Sequence, residues 1–187
     1  GGSRMWINGL RNSSGRISVI THEFGHNYGL FHSNYWHPER ALGGSYNGDP
    51  AYSLEYGDIF DLMGGGSPTQ GHFNPYQKHR IDWLPEERVA TAAGDGIFRI
   101  FRFDDIDAID NPLLALRIPA GGEVVWWVGH RQLYSNNPNM ETGAYVVAEG
   151  LYANRPNLLD LTPESNGSES ADRLDAALPV GQSYYDP

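Results

Sequence analysis

Four apolar residues near the start of the chain recur at helical spacing, namely Ile17, Ile20, Phe24 and Tyr28. Such a stripe predicts an amphipathic helix, and Ser13 or Ser14 can cap its first turn. A second face of the same helix carries Val19, His22 and His26. We therefore expect this helix to be buried on two sides, one against a core and one against a cleft.

After this helix the chain shows little regular pattern until residue 75. Residues 30–69 are rich in Gly, Ser, Asn, Asp and Pro, which predicts long loops. A second helix is predicted over residues 75–84, because Asn74 can cap it and Pro75 suits its first position. It should stop before Pro85, since a residue that precedes proline disfavours the helical conformation.

From about residue 89 the apolar positions change to a period of two, which predicts β-strands. The strand-like segments are residues 98–100, 114–118, 124–128 and 144–147. Gly121 and Gly122 separate the second segment from the third and predict a hairpin. The pattern therefore predicts an α+β protein in two parts. Residues 1–88 hold the helices, and residues 89–187 form an antiparallel, sandwich-like β domain.

Charge and composition narrow the possible partners. The 187 residues include 13 Lys and Arg against 23 Asp and Glu, for a net charge of -10. Nucleic acids and anionic membranes bind clusters of Lys and Arg, so we expect neither as a partner. No apolar run approaches the length of a transmembrane helix, and no membrane insertion is expected. The absence of cysteine excludes disulfides and thiolate metal sites.

The candidate chemistry lies between His22 and His32. On a helix, residues i and i+4 share a face, so His22 and His26 can present ring nitrogens to one metal ion. Glu23 lies about 100° further around the helix. That position suits a general base acting on water better than a metal ligand.

Gly29 and His32 extend this pattern beyond the helix. A chain that turns back toward its own helix needs a left-handed residue past the helix end, which glycine adopts at no steric cost. His32 then comes from the following turn and can complete a set of three histidines. Three protein ligands leave the fourth tetrahedral position open, as a catalytic zinc requires and a structural zinc does not.

The extended motif, HExxHxxGxxH, resembles that of the metzincin clan of zinc endopeptidases. Metzincins also carry a methionine turn beneath the zinc, and the sequence Asp-Leu-Met-Gly-Gly-Gly at residues 61–66 resembles it. Within the clan the chain looks most like the gametolysin family, over residues 55–64, 72–78 and 82–84 and, in the tail, 158–163 and 177–183. The resemblance implies a zincin catalytic part with a zinc helix, a methionine turn and a C-terminal helix.

The resemblance also implies roles for individual residues. One catalytic Zn²⁺ would be held by His22, His26 and His32, with Glu23 as general base and Met63 as support through packing. The loop after the methionine would shape the substrate pocket, for which the candidates are Gly64, Gly65, Gly66 and Phe73. Some metzincins place a tyrosine two residues after the methionine, where this chain has Gly65, so no such tyrosine is assigned.

Metzincins ordinarily place a twisted sheet before the zinc helix. Only about fifteen residues precede the helix here, too few for that sheet at typical strand lengths. We therefore expect the chain to be a fragment whose upstream catalytic segment lies outside it. The resemblance further implies a secreted enzyme whose substrates are proteins or peptides of the extracellular matrix or cell wall.

Two other functions are compatible with the motif: a catalytically silent zinc module used for binding or structure, and a zinc hydrolase of a non-peptide bond. A second metal was also considered. Asp104, Asp105, Asp107 and Asp110 crowd one segment and could bind Ca²⁺ through oxygen ligands. They lack the glycine and closing glutamate of a recognised calcium loop, so a solvated acidic loop is the favoured interpretation.

Overall fold

The computed structural model describes residue 4 and residues 15–36, 53–66, 71–104, 112–133, 137–152, 154–163, 165 and 169–185. Within these ranges the chain is a mixed α+β protein, as the sequence predicts. The α-helices are α1 (Gly15–Asn27), α2 (Pro75–Arg80), α3 (Pro138–Thr142) and α4 (Glu169–Asp172). Single 3-10 turns cover Glu86–Arg88 and Arg173–Asp175. None of the helices in the described part of the chain combines the length and the hydropathy that a membrane-spanning helix needs.

The described strands are β1 (Asn34–Trp36), β2 (Ser53–Leu54), β3 (Val89–Thr91), β4 (Ala115–Gly121), β5 (Val124–Gly129), β6 (Tyr145–Tyr152) and β7 (Arg155–Leu159). They form one seven-stranded sheet in the order β2-β1-β7-β6-β5-β4-β3. The pairs β4–β5, β5–β6 and β6–β7 are antiparallel, as predicted for this half of the chain. The pairs β3–β4 and β1–β7 are parallel, so the sheet is mixed rather than purely antiparallel.

The sheet joins the two parts of the chain. Strands β1 and β2 come from the first 88 residues, and β3 to β7 come from the remainder. Among the described residues this is one sheet and not the two packed sheets of a sandwich. The division into domains at residues 1–88 and 89–187 stays a prediction. The hairpin between β4 and β5 lies where Gly121 and Gly122 predict it, and both glycines have positive φ angles of 99° and 59°.

The main core lies between the sheet and α2. Tyr76 on α2 packs edge-on against Trp127 on β5, with ring centroids 5.9 Å apart. The cluster also contains Tyr35, Phe60 and Tyr145, all nearly or fully buried. Helix α2 starts as predicted, because the Asn74 side chain accepts a hydrogen bond from the backbone N–H of Gln77. It ends earlier than predicted, at Arg80.

Helix α1 departs from the prediction of burial on two sides. Its apolar stripe faces outward: Ile17, Phe24 and Tyr28 are 65%, 47% and 60% exposed. The side of α1 that contacts the described part of the chain is centred on Gly25, which is buried. The predicted caps Ser13 and Ser14 lie outside the described residues. Cover for the stripe by an upstream segment stays a prediction.

Two further expectations concern strands and calcium. The predicted strand at residues 98–100 is not a strand in the structure. Asp104 is buried, and its carboxylate accepts hydrogen bonds from the backbone N–H groups of Gln132 and Leu133. The other three aspartates considered for calcium, Asp105, Asp107 and Asp110, lie outside the described residues. Asp104 therefore ties its loop to the segment that follows β5.

Candidate metal centre

The three motif histidines come together through the end of α1. His22 and His26 lie one turn apart on the helix, which ends at Asn27. Gly29 has a φ angle of 85°, the left-handed conformation predicted for it. The backbone N–H of Leu30 then donates to the carbonyl of Gly25 at 3.0 Å, and the chain reverses. This reversal brings His32 back beside the helix.

The ring nitrogens converge closely enough for one ion. His22, His26 and His32 each offer a ligand atom, and these atoms lie within 4.8 Å of one another. The Nε2 atoms of His26 and His32 are 3.2 Å apart. Among the described residues this cluster could hold a metal ion, which is the arrangement that the motif predicts.

The other nitrogen of each imidazole is held by an oxygen atom. Nδ1 of His22 is 2.8 Å from the carbonyl oxygen of Leu62, and Nδ1 of His26 is 2.9 Å from that of Leu30. Nδ1 of His32 is 2.7 Å from Oε1 of Glu55. Because these oxygens only accept, each Nδ1 donates, and the lone pair of the neutral ring lies on Nε2. All three rings are therefore set in the tautomer that can bind a metal through Nε2.

Burial favours the neutral form of His22. The pKa of His22 is lowered, chiefly because burial disfavours the charged imidazolium. The neighbouring His26 and His32 rings lower it further, while the carbonyl of Leu62 works in the opposite direction. A neutral imidazole is the form that binds metal, so the site is prepared for an ion without losing a proton from this residue.

Met63 lies against the helix that carries the ligands. It is fully buried, and its sulfur occupies the space beside Gly25, where a Cβ atom would lie 2.2 Å from it. The carbonyl of Met63 accepts a hydrogen bond from the backbone N–H of Ser33, next to His32. The turn thus contacts the motif at Gly25, within the helix, and directly after His32, and both contacts suit support through packing.

Two buried carboxylates organise the methionine turn. Asp61 accepts hydrogen bonds from the backbone N–H groups of Met63 and Asn74, at 2.6 and 2.5 Å. Asp58 accepts from the backbone N–H of Phe60 and from the hydroxyl of Tyr145 on β6. Burial raises the pKa of both carboxyl groups above their usual range. The sheet therefore helps to hold the turn in place, through the hydrogen bond from Tyr145 to Asp58.

A further contact from the sheet comes from Arg131, which is fully buried just after β5. Its Nη1 donates to the carbonyl oxygen of Phe60 at 2.7 Å, and its guanidinium lies 5.6 Å from the ring centroid of Tyr145. The positive charge lowers the pKa of Asp58, partly offsetting the effect of burial. Residues that are far away in the sequence thus hold the loop that ends in the methionine turn.

An open pocket of about 270 Å³ adjoins the metal cluster. Its lining comprises Ser18, Val19, His22, Glu23, Tyr56, Leu62, Gly64, Gly65 and Gly66. Glu23 therefore shares the pocket with a candidate ligand, as a base acting beside the metal must. The three glycines that were predicted to line a substrate pocket are among these residues. Phe73 lies elsewhere, buried in a cluster with Leu30 and Met63.

Glu55 and Tyr56 are site residues to which the sequence assigned no role. Glu55 accepts the hydrogen bond from His32, and this bond lowers the pKa of the Glu55 carboxyl. The Tyr56 ring lies over His32 with centroids 3.9 Å apart. Tyr56 also has a φ angle of 61°, which is uncommon for a residue with a side chain. The only sequence signal is their position within the run that resembles gametolysins.

No protein-family model, curated protein or solved structure matches this chain.

Proposed function

We propose that the chain carries the zinc centre of an endopeptidase that hydrolyses peptide bonds of proteins. The observation that carries this proposal is the convergence of three imidazoles, each with Nδ1 engaged, beside a pocket that Glu23 lines. The choice of extracellular matrix or cell-wall proteins as substrates, and a secreted location, rest on the resemblance to gametolysins.

The donor set fits zinc. Imidazole nitrogen is a common zinc ligand, and three histidines with one open position are a known catalytic arrangement. The hydrogen bonds to Leu62, Leu30 and Glu55 match a further feature of such sites, because metal-bound histidines usually donate their other N–H to a carbonyl or carboxylate. His22, His26 and His32 would hold the ion.

When bound, Zn²⁺ supplies Lewis-acid chemistry, in which the pKa of water falls and the scissile carbonyl is polarised. Glu23 takes the proton of the attacking water and returns it to the leaving amine. The pocket beside Glu23 receives a substrate side chain against Val19, Leu62 and the backbone of residues 64–66. The Tyr56 ring forms another part of the wall.

The test combines metal analysis with hydrolysis of a protein substrate. The purified chain, expressed together with any upstream segment of its native protein, should bind one equivalent of zinc and cleave an unfolded protein such as casein. Chelation should abolish cleavage, and zinc should restore it. In the variant E23Q, cleavage should fall by at least about 100-fold while zinc remains bound, because a general base contributes about 10²–10⁴-fold.

A matched control is E87Q, which removes a carboxylate from the exposed 3-10 turn and should leave cleavage unchanged. Unchanged turnover in E23Q would overturn the assignment of the base. A zinc-loaded protein that cleaves no peptide in a broad library would favour the silent module if it also hydrolysed no ester or amide, and the non-peptide hydrolase if it did.

A further inference from the structure

Among the described residues around the metal cluster, Glu55 stands out because its side chain, and not its backbone, accepts the Nδ1 hydrogen bond of a candidate ligand. The Nδ1 atoms of His22 and His26 donate to backbone carbonyls, which no side-chain substitution removes. The Nδ1 atom of His32 donates to Oε1 of Glu55 at 2.7 Å. The orientation of His32 therefore depends on one carboxylate.

The fold places this carboxylate beside His32. Glu55 directly follows β2, which pairs antiparallel with β1 in a register that sets Leu54 opposite Tyr35. Continuing this register by one residue sets Glu55 opposite Asn34, and His32 lies just before that point in the chain. The pairing of two short strands thus brings together residues that are 23 positions apart.

A cation on a third strand holds Glu55 in place. Arg155 is the first residue of β7, on the far side of β1, and its Nη1 lies 2.8 Å from the same Oε1 that accepts from His32. The three strands are also tied by Ser53, whose hydroxyl accepts from Asn34 Nδ2 at 2.8 Å and donates to Asn157 Oδ1 at 2.6 Å. A glutamate that is 46% exposed is thereby held between a ligand and the sheet.

We propose that Glu55, anchored by Arg155, is a positioning residue for His32 that raises the affinity of the centre for Zn²⁺. The carboxylate holds the ring so that Nε2 points into the cluster, and its negative charge makes the ring a stronger donor. This inference rests on the zinc centre of the proposed function. It adds that the sheet, through Arg155, sets how tightly the centre holds its ion.

The competing explanation is an ordinary surface ion pair, which typically contributes only about 0–1 kcal/mol to stability. The chain contains a matched example. Glu86 lies 3.5 Å from Nε2 of His79 and forms an ion pair with Arg117, and its side chain is 62% exposed. His79 is outside the metal cluster, so substitution of Glu86 removes the same kind of contact from a histidine without a metal role.

The experiment measures the Zn²⁺ dissociation constant by competition with a chromophoric chelator, and the melting temperature of the metal-free protein, for the unsubstituted chain and for E55A, E55Q and E86A. We expect E55A to weaken zinc binding about 10–100-fold. E55Q should weaken it less, because the amide oxygen still accepts from His32. E86A should bind zinc normally, and the metal-free melting temperatures of E55A and E86A should be similar.

Arg155 supplies a second arm. R155M should weaken zinc binding in the unsubstituted chain, yet have no further effect when combined with E55A, because it acts only through the carboxylate. Zinc binding by E55A and E55Q as tight as that of E86A would overturn the inference and leave the proposed function intact. Failure of the unsubstituted chain to bind zinc would overturn the proposed function itself.

Discussion

Gly25 and Met63 touch so closely that no side chain fits between the helix and the turn. A Cβ atom on Gly25 would lie 2.2 Å from the Met63 sulfur, and Met63 is fully buried. His22 and His26 lie on the same helix as Gly25, and His26 directly follows it. The contact between these two residues therefore sets the height of the ligand-bearing helix above the methionine turn.

Replacing Gly25 by alanine should destabilise the protein. Alanine normally stabilises a helix interior by about 1 kcal/mol relative to glycine, so a purely local effect would have the opposite sign. We expect the steric clash to prevail, with a net loss of about 1–3 kcal/mol, as for other overpacked sites. Thermal unfolding of the metal-free protein measures this loss.

The double variant G25A/M63A separates the two effects. Without the methionine side chain the added methyl group has room, so G25A should be neutral or stabilising in the M63A background. A second control is G94A, because a Cβ on Gly94 meets no atom within 4 Å. A stabilised G25A single variant would show that the turn moves aside without cost, and would contradict the close contact.

Gly29 should be needed for its backbone conformation and not for space. Its φ angle is 85°, and a Cβ atom there would meet nothing within 4 Å. Alanine in a left-handed conformation costs about 1–2 kcal/mol, whereas asparagine tolerates it better. We expect G29A to lower the melting temperature and weaken zinc binding, and G29N to do both to a smaller extent. Equal losses in the two variants would point instead to steric crowding.

The ligand set could be predicted because its geometry is local. His22, His26 and His32 lie within one helix and the turn that follows it, so residue spacing and one glycine are enough to define their positions. The pairing of β1 with β7 could not be predicted. Those strands are three and five residues long, too short for a clear period, and β1 lies in a segment that reads as loop.

For that reason the partners of the ligands were missed. Glu55 is 23 residues from His32 and 100 residues from Arg155, and only the sheet register brings them together.

The apolar stripe on α1 is exposed, although the sequence predicts its burial. The prediction follows from the periodicity of Ile17, Phe24 and Tyr28, which is that of a core-facing helix. Periodicity gives the face of a helix but does not identify what covers it.

Asp160 should make the stability of the fold depend on pH. Burial, with a smaller contribution from Asp172, raises its pKa to about 6, against the lowering effect of hydrogen bonds from the Tyr35 hydroxyl and the backbone N–H of Thr162. The folded state therefore holds a proton that the unfolded state releases near its ordinary pKa of about 4. The stabilisation is complete below pH 4 and is lost as pH rises through 6.

Comparing the chain with D160N isolates this contribution, since asparagine keeps the shape and an acceptor for Tyr35 but does not titrate. Urea unfolding at several pH values measures the free energy of unfolding of both proteins. Relative to the unsubstituted chain, the value for D160N should rise by about 1–2 kcal/mol between pH 4 and pH 7. The comparison is needed because His72, with a pKa lowered to about 4 by burial, changes stability in the opposite direction over the same range. A constant difference at all pH values would contradict the raised pKa of Asp160.

The glycines after Met63 should differ sharply in their tolerance of a side chain, although all three line the same pocket. A Cβ on Gly64 would lie 2.1 Å from the Asp58 carbonyl oxygen and 2.8 Å from that of Ser33, both backbone atoms that cannot move alone. A Cβ on Gly65 would lie 3.2 Å from the Tyr56 carbonyl oxygen, a contact that a small shift relieves. Glycine is therefore needed at position 64 because backbone atoms approach it closely, and not because the pocket wall must stay open.

We expect G64A to cost at least about 2 kcal/mol of stability, as severe overpacking does, and G65A to cost less than about 1 kcal/mol. G64A should also weaken zinc binding, because the displaced turn carries the Leu62 carbonyl that holds Nδ1 of His22. Thermal unfolding and zinc competition on both variants test this. If the two variants behave alike, the turn is free to adjust, and its glycines serve the pocket alone.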